Sequence, residues 1–306
     1  MILPLFCLAL IAGLYLAAGA MLLSAILRRR GEASRPMSRR LLWARRIIFG
    51  FALFGILLAA DAFIEPYWLE VTHVRIASAK LAKGSRPIRI AQISDLHCDS
   101  KPRLEERLPG IIARERPDII VFTGDALNSR EGLTIFKRCM ARLAAIAPTF
   151  AVLGNWDAKP SELFDGTGVR PLNQEVVTFR LSETEVRIGG ASIGRLLSTL
   201  LLFQSAPPNA LTIFLYHYPN GAEEAARAKV DLCLAGHTHG GQFVLPFYGG
   251  IARLAGFEEK YVAGLYRVEG AWLYVNRGIG MEGGKWPQVR FLARPEVTIF
   301  DIVPQD

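Results

Sequence analysis

The hydrophobic pattern divides the chain into two parts of different character. Residues 1–27 carry no charged side chain, and at about 1.5 Å per helical residue they are long enough to cross a bilayer core. They lack a basic start and a clear small-residue cleavage site, so they read as an uncleaved membrane helix rather than a removed leader. A second apolar run, 47–60, reaches 18 residues when counted on to residue 64, the short end of what spans a bilayer. From about residue 70, strand-length apolar runs alternate with helix-like stretches, as in a layered α/β or α+β domain.

Within that second part, PIRIAQIS (87–94), DIIVFTGD (118–125), TFAVLGN (149–155), LTIFLYH (211–217), DLCLAGH (231–237), WLYVN (272–276) and VTIFDIV (297–303) read as strands. Residues 102–116 read as a helix that Pro109 interrupts. In 130–147, Leu133, Phe136, Met140 and Leu143 recur at helical spacing and give one face to bury. The pattern predicts a membrane anchor over 1–69, with spans at about 2–27 and 47–64, and a globular domain over 70–306.

Charge sharpens this division. The net charge is +8, yet residues 28–46 alone hold eight arginines and one acid, Glu32. The remainder, 47–306, keeps 28 of the 36 bases and 27 of the 28 acids. The basic balance therefore belongs to one short loop and does not describe a nucleic-acid-binding domain. A basic loop beside apolar spans faces the cytoplasm and anionic headgroups. With two spans the globular domain lies outside the cytoplasm, the expected arrangement; with the first span alone it lies inside, and 47–64 rests along the membrane surface. The four cysteines show no C-x-x-C spacing and no disulfide framework.

Polar residues recur where the apolar strands end. Ser94-Asp95-Leu96-His97, Gly124-Asp125, Gly154-Asn155-Trp156-Asp157, His217 and Gly236-His237-Thr238-His239-Gly240-Gly241-Gln242 each close such a run. Any one of these alone reads as an ordinary strand end; five in succession point to one shared site at a sheet edge. In extended chain, residues i and i+2 face the same way, so Asp-x-His and His-x-His can each face one metal. Imidazole with carboxylate and no thiolate suits manganese, iron or zinc rather than calcium. A carboxylate bridging two such ions is a geometry used for phosphoryl chemistry. Arg277 in VNRGIG is a candidate phosphate clamp or an ordinary surface arginine, and Asn128 a candidate substrate contact or loop cap.

The ordered motifs resemble the calcineurin-like metallophosphoesterase superfamily, whose pattern is D-x-H, G-D, G-N-H-[DE], a lone H and G-H-x-H. The resemblance covers about residues 85–303. GHTHGGQ, the following Pro246, Gly249 and Gly250, and the terminal PEVTIFDI are similar to a membrane-associated phosphodiesterase branch. The resemblance implies a β-sandwich flanked by helices, in four layers, and two divalent metal ions, manganese first, with iron or zinc as alternatives. Asp95, His97, Asp125 and His239 would hold one ion. Asp125 would bridge to the second, held also by Asn155, His217 and His237. Asp125, Asn155 and Asp157 would carry catalysis, and Asn155, Trp156 and Arg277 would touch substrate.

The implied activity is hydrolysis of a phosphodiester or pyrophosphate bond at the inner membrane of a bacterium. The branch includes enzymes similar to UDP-2,3-diacylglucosamine pyrophosphatases of lipid A biosynthesis, so a lipid-linked substrate of that kind is expected. The family's histidine after Asn155, which contacts phosphate and protonates the leaving group, is here Trp156. Indole N–H only donates a hydrogen bond. Two expectations follow: a preference for activated bonds such as pyrophosphates, or, as the alternative, a metal-binding protein with catalysis lost. The apolar run LLSTLLLF (196–203) reads either as a lipid-facing helix beside the site or as core.

Overall fold

A computed structural model describes residues 13, 15, 17–19, 22, 39–157, 162–245, 249–250, 260–283 and 288–305. Most of the expected first span, the arginines before residue 39, Pro246 and most of the segment following it lie outside the described residues. Described residues up to Ile64 form one compact unit, and those from Glu65 onward form another.

In the first unit, helix α1 (Arg39–Ile64) has 26 residues, about 39 Å at the usual helical rise. The stretch Leu42–Tyr67 is long and apolar enough to cross a membrane by length and composition. Ile47, Phe51, Phe54, Leu57 and Phe63 are exposed, an apolar surface of the kind that lipid covers. The helix begins ahead of the expected start at residue 47, which corrects the extent of the arginine loop: Arg39, Arg40, Arg45 and Arg46 are helical. Arginine and leucine are good helix formers, so nothing between 39 and 46 stops propagation. The guanidinium groups of Arg45 and Arg46 lie over the rings of Phe49 and Trp43, at 5.5 and 5.4 Å.

The second unit holds two six-stranded mixed sheets. The strands are β1 (Glu70–Ser78), β2 (Ile88–Ile93), β3 (Ile119–Phe122), β4 (Thr149–Ala151), β5 (Arg170–Pro171), β6 (Glu175–Leu181), β7 (Thr184–Ala191), β8 (Leu211–Tyr216), β9 (Leu232–Ala235), β10 (Val244–Leu245), β11 (Gly249–Gly250), β12 (Gly264–Val268), β13 (Ala271–Val275) and β14 (Glu296–Pro304). One sheet has the order β1-β14-β2-β3-β4-β5 and the other β12-β13-β9-β8-β7-β6. β2 to β5 run parallel, as do β7, β8, β9 and β13.

Alternation along the strands builds three apolar layers. Ile90, Ile119 and Val121 of the first sheet meet Ile188, Ile213, Leu215 and Leu234 of the second between the sheets. Their neighbours turn outward: Ala91, Ile93, Ile120 and Phe122 pack under helices α2 (Leu108–Glu115) and α3 (Leu133–Ala144). Phe214, Cys233 and Ala235 pack under α4 (Leu196–Leu200) and α5 (Ala222–Arg227). The result is the expected helix–sheet–sheet–helix sandwich. Each fully buried aliphatic side chain here contributes about 1.5–3 kcal/mol.

Two local expectations change. The helix expected over 102–116 starts only at Leu108, with Pro109 in its first turn, where the missing N–H has no carbonyl to reach anyway. The run 196–203 is neither all core nor all lipid-facing: Leu200 and Phe203 are buried, whereas Leu197 and Leu201 are exposed.

Phe122 is wholly buried and packs with Phe136 and Phe164, with ring centroids 5.5 and 6.4 Å away. Phe122→Ala is expected to lower the unfolding free energy by about 3–5 kcal/mol, read as a shift of the chemical denaturation midpoint. An unchanged midpoint would show that this aromatic cluster does not hold α3 to the sheet.

Candidate metal centre

The parallel strands of both sheets end on one edge, and the chemistry lies just past those ends. Asp95 and His97 follow β2, Asp125 follows β3, Asn155 follows β4, His217 follows β8, and His237 and His239 follow β9. Two groups result: Asp95 with His97 and His239, and Asp125 with His217 and His237; within each, the ligand atoms lie within 4.8 Å of one another. Asp125 stands between them, its Oδ2 3.6 Å from His97 Nε2 and 3.3 Å from His217 Nε2. Asn155 Oδ1 lies 3.0 Å from His217 Nε2, on the second group. All seven expected donors are thus gathered in one place.

The backbone is bent sharply to achieve this. Asp95, His97, Asp125, His237 and His239 all have φ between 42° and 74°, the left-handed region that non-glycine residues seldom enter, at about 1–3 kcal/mol each. The expected extended geometry is therefore corrected. Asp95 and His97 fall in one group, whereas His237 and His239, with Thr238 between them in right-handed backbone, fall in different ones, the division the family resemblance implies. Glycine in the motifs has a steric cause. A Cβ on Gly154 would collide with Asp125 Oδ1, and one on Gly236 with Ser94 Oγ and Asp95 Oδ2.

Desolvation sets the charge state of the donors. Burial pushes the imidazoles of His97 and His237 down to about 4, and that of His239 well below its ordinary value. Burial also lifts the Asp95 carboxyl to about 7. His217 goes the other way: burial lowers it, but the Asp125 hydrogen bond and charge outweigh burial and carry it to about 9. Its Nδ1 lies 2.7 Å from the Thr123 carbonyl, so Nδ1 carries a proton and Nε2 faces Asp125 and Asn155. His97 Nε2 and His239 Nε2 meet at 3.1 Å, and His239 Nε2 is 3.5 Å from Asp95 Oδ1. The neutral imidazoles of His97, His237 and His239, converging with His217 and the carboxylate oxygens of Asp95 and Asp125 in a largely buried space, are the donor set that divalent cations satisfy, so the residues fit two metal ions.

Asp157 is corrected from a catalytic to a positioning residue. It is buried, and its carboxylate accepts the backbone N–H groups of Asp125, Ala126 and Gly154, each at 2.8 Å. Both oxygens are committed to holding the Asp125 loop against the Asn155 loop. Arg277, the candidate phosphate clamp, is engaged by carboxylates: it pairs with Glu70 at 2.8 Å and with Glu296 at 3.3 Å. Asn128 clamps loops, donating to Asp99 and to the Met281 carbonyl and accepting from Gly283 N–H. Trp156 stands edge-on to His97 at 5.5 Å, and its backbone N–H donates to Asp125 Oδ1 at 2.9 Å.

Three residues at the centre had no signal in the motifs. Arg290 is fully buried, donates to the carbonyls of Gly280, Ala293 and Arg277, and approaches His239 Nδ1 at 3.3 Å. The Tyr218 ring lies 4.3 Å from that of His237. The Glu282 backbone N–H donates to Gln242 Oε1 at 3.0 Å, which ties its loop to the end of the His239 motif. A buried arginine and two loop residues become visible only when the chain is folded.

A family model described as calcineurin-like phosphoesterase matches residues 88–241. The uncharacterised metallophosphoesterase YkuE of Bacillus subtilis (strain 168) is 30% identical over 280 residues, covering 83% of this chain and 94% of the relative. Phosphodiesterase YaeI of Escherichia coli (strain K12) is 29% identical, covering 79% of this chain and 91% of its own. The UDP-2,3-diacylglucosamine pyrophosphatase LpxG of Chlamydia trachomatis is 27% identical, covering 77% and 90%. The matched segment contains the seven gathered donors and their glycines, and on these grounds the chain belongs to the calcineurin-like phosphoesterase family of metal-dependent phosphoester hydrolases.

Proposed function

We propose that this protein is a membrane-anchored two-metal phosphoesterase, with residues 1–69 as anchor and 70–306 as the hydrolytic domain. Its bond is a phosphodiester or pyrophosphate in a lipid-linked or cell-envelope substrate, for which UDP-2,3-diacylglucosamine is the specific candidate. The observation that carries this is Asp125 standing between two groups of buried donors. Asp95, His97, Asp125 and His239 would hold one ion, and Asp125, Asn155, His217 and His237 the other. A bound pair of divalent cations, manganese before iron or zinc, acidifies water and offsets the charge that develops on phosphoryl oxygens.

The protein's own groups do the rest. Asp157 keeps the Asp125 and Asn155 loops in register, and the Thr123 carbonyl fixes the His217 tautomer. Asn155, exposed beside His217, offers its side-chain amide to a phosphoryl oxygen. The substrate class is supported by the apolar helix α1 and by the similarity to LpxG.

Asp125→Ala is expected to remove more than about 99% of the Mn²⁺-dependent cleavage of bis-p-nitrophenyl phosphate, since one substitution opens both groups. Retained turnover would remove Asp125 from its bridging role. Chelation by EDTA followed by re-addition of Mn²⁺ should abolish and then restore the same activity, with two ions per chain by elemental analysis; activity that survives chelation would reject metal dependence.

The two-span arrangement puts the hydrolytic domain outside the cytoplasm. A reporter enzyme that works only outside the cytoplasm, fused after Pro66, should be active; activity of a cytoplasm-only reporter would reverse the orientation. The specific candidate conflicts with this arrangement, since a nucleotide-linked lipid made in the cytoplasm is reached only by the reversed orientation: an active extracytoplasmic reporter would remove UDP-2,3-diacylglucosamine and leave a cell-envelope ester outside the cytoplasm as the substrate.

A further inference from the structure

The sheet topology places the start of the second unit at the edge that carries the donors. β14 runs antiparallel to β2, with Thr298 opposite Gln92, and β1 runs parallel to β14, with Glu70 opposite Glu296. β1 and β14 therefore begin where β2 ends and Asp95 follows. The turns just before them are joined, because the buried Glu65 carboxylate accepts the N–H groups of Leu292 and Ala293. From these turns Tyr67, Trp68 and Leu292 expose more than half of their surface. The Arg294 guanidinium lies over the Trp68 ring at 4.3 Å, and its Nε donates to the Trp68 carbonyl at 3.1 Å, which fixes an exposed indole in place. The second sheet repeats the feature. β7 ends with Ala191 opposite Tyr216, the residue before His217. The segment that follows exposes Ile193, and then Leu197 and Leu201, four apart and so on one side of successive helical turns. Arg195, between them, is exposed as well.

We propose that the donor edge of the hydrolytic domain docks on a lipid bilayer, with Tyr67, Trp68 and Leu292 from one sheet and Ile193, Leu197 and Leu201 from the other entering it to headgroup depth. Chain continuity selects this occupant. Tyr67 closes the stretch that is long and apolar enough to cross a membrane, and Trp68 follows it directly. Even fully extended, four residues reach at most about 14 Å, so Trp68 lies no farther than that from Ile64 at the end of α1. Tyr and Trp settle at the boundary between bilayer and water, where one side of the ring is apolar and the other wet. An apolar helix face with a basic neighbour lies on anionic headgroups, and Arg195 supplies that charge. Docked in this way, the two donor groups stand at the depth of lipid phosphates. The proposal rests on the membrane-anchored reading above and specifies how such an enzyme meets a lipid-linked ester, in the plane of the membrane.

Full-length protein carrying Cys7→Ser, in which Cys98, Cys139 and Cys233 are buried, is labelled with a bimane at one introduced cysteine. It is reconstituted at one chain per disc in nanodiscs of phosphatidylcholine and phosphatidylglycerol, with or without bromine on the acyl chains, which quenches only a label in contact with it. Labels at Leu197→Cys and Leu292→Cys should lose about half of their emission or more in brominated discs, as should one at Tyr67→Cys beside α1. A label at Glu183→Cys, exposed in the turn at the opposite end of β7, should lose less than about a tenth. Adding Leu201→Glu to the Leu197→Cys chain should reduce its quenching at least about two-fold. Quenching at Tyr67→Cys without quenching at Leu197→Cys or Leu292→Cys, equal quenching at Glu183→Cys, or indifference to Leu201→Glu would each overturn the proposal and leave the anchor standing. No quenching at Tyr67→Cys would overturn anchor and proposal together. Shielding of Leu197→Cys that needs two chains per disc would assign the face to a second copy and overturn lipid docking. Turnover of bis-p-nitrophenyl phosphate with Mn²⁺ in the same discs reads the hydrolase separately: the quenching pattern without turnover supports docking and rejects the hydrolase reading alone.

Discussion

Asp125 is the point where the two halves of the sandwich depend on one another. Its carboxylate is nearly solvent-free and lies within 3.6 Å of imidazoles supplied by both sheets, His97 after β2 and His217 after β8. Taking so many lone pairs out of water is unfavourable unless cations or hydrogen bonds compensate. The low values of His97, His237 and His239 and the raised Asp95 express that cost in protonation. Divalent cations reverse the balance, because the same lone pairs then become ligands. Metal binding and the final shape of this edge are therefore coupled, and the apolar layers must hold the loops in place while the donors repel one another.

The sheets supply that rigidity in specific ways. Gln92, buried between them, donates to Thr123 in its own sheet at 3.1 Å and to the Ala235 carbonyl in the other at 2.9 Å. Gly236 N–H bonds to the His217 carbonyl, and Asp95 N–H to that of Gly124, so neighbouring donor loops are stitched at their roots. Asp157 adds three charge-assisted bonds, the kind worth about 1.5–3 kcal/mol each. These contacts offset the left-handed φ angles at five of the seven donors. The strain sits in the loops and the restraint in the sheets, the division expected of a preorganised site.

Much of this was legible in the sequence because the strands alternate cleanly and the donors sit at their ends. β2, β3, β8 and β9 fall inside the expected runs, and the seven donors converge as their order suggested. The misses have physical causes. β1 and β6 carry exposed polar residues on one face and lack a long apolar run, so Glu70–Ser78 and Glu175–Leu181 had no strong strand signal. Asp157 looked catalytic because its identity shows charge and not orientation; only its three backbone partners reveal a brace. Arg277 looked free to meet phosphate, since nothing local in VNRGIG announces Glu70, some 200 residues earlier in the chain. Long-range ion pairs leave no periodic trace.

Trp156 changes what the Asn155 loop can offer beside the donors. A histidine at position 156 could both contact a phosphoryl oxygen and carry a proton. Indole retains the bulk against His97 and one donor, but no titratable proton. That exchange leaves the metal donors in place, because Trp156 meets them through its ring against His97 and its backbone N–H on Asp125. The loop after β13 is held to the same centre through its backbone, Glu282 N–H on Gln242 and Gly283 N–H on Asn128, so the segments that follow His239 and Asp125 also fix the loop that lies beside them.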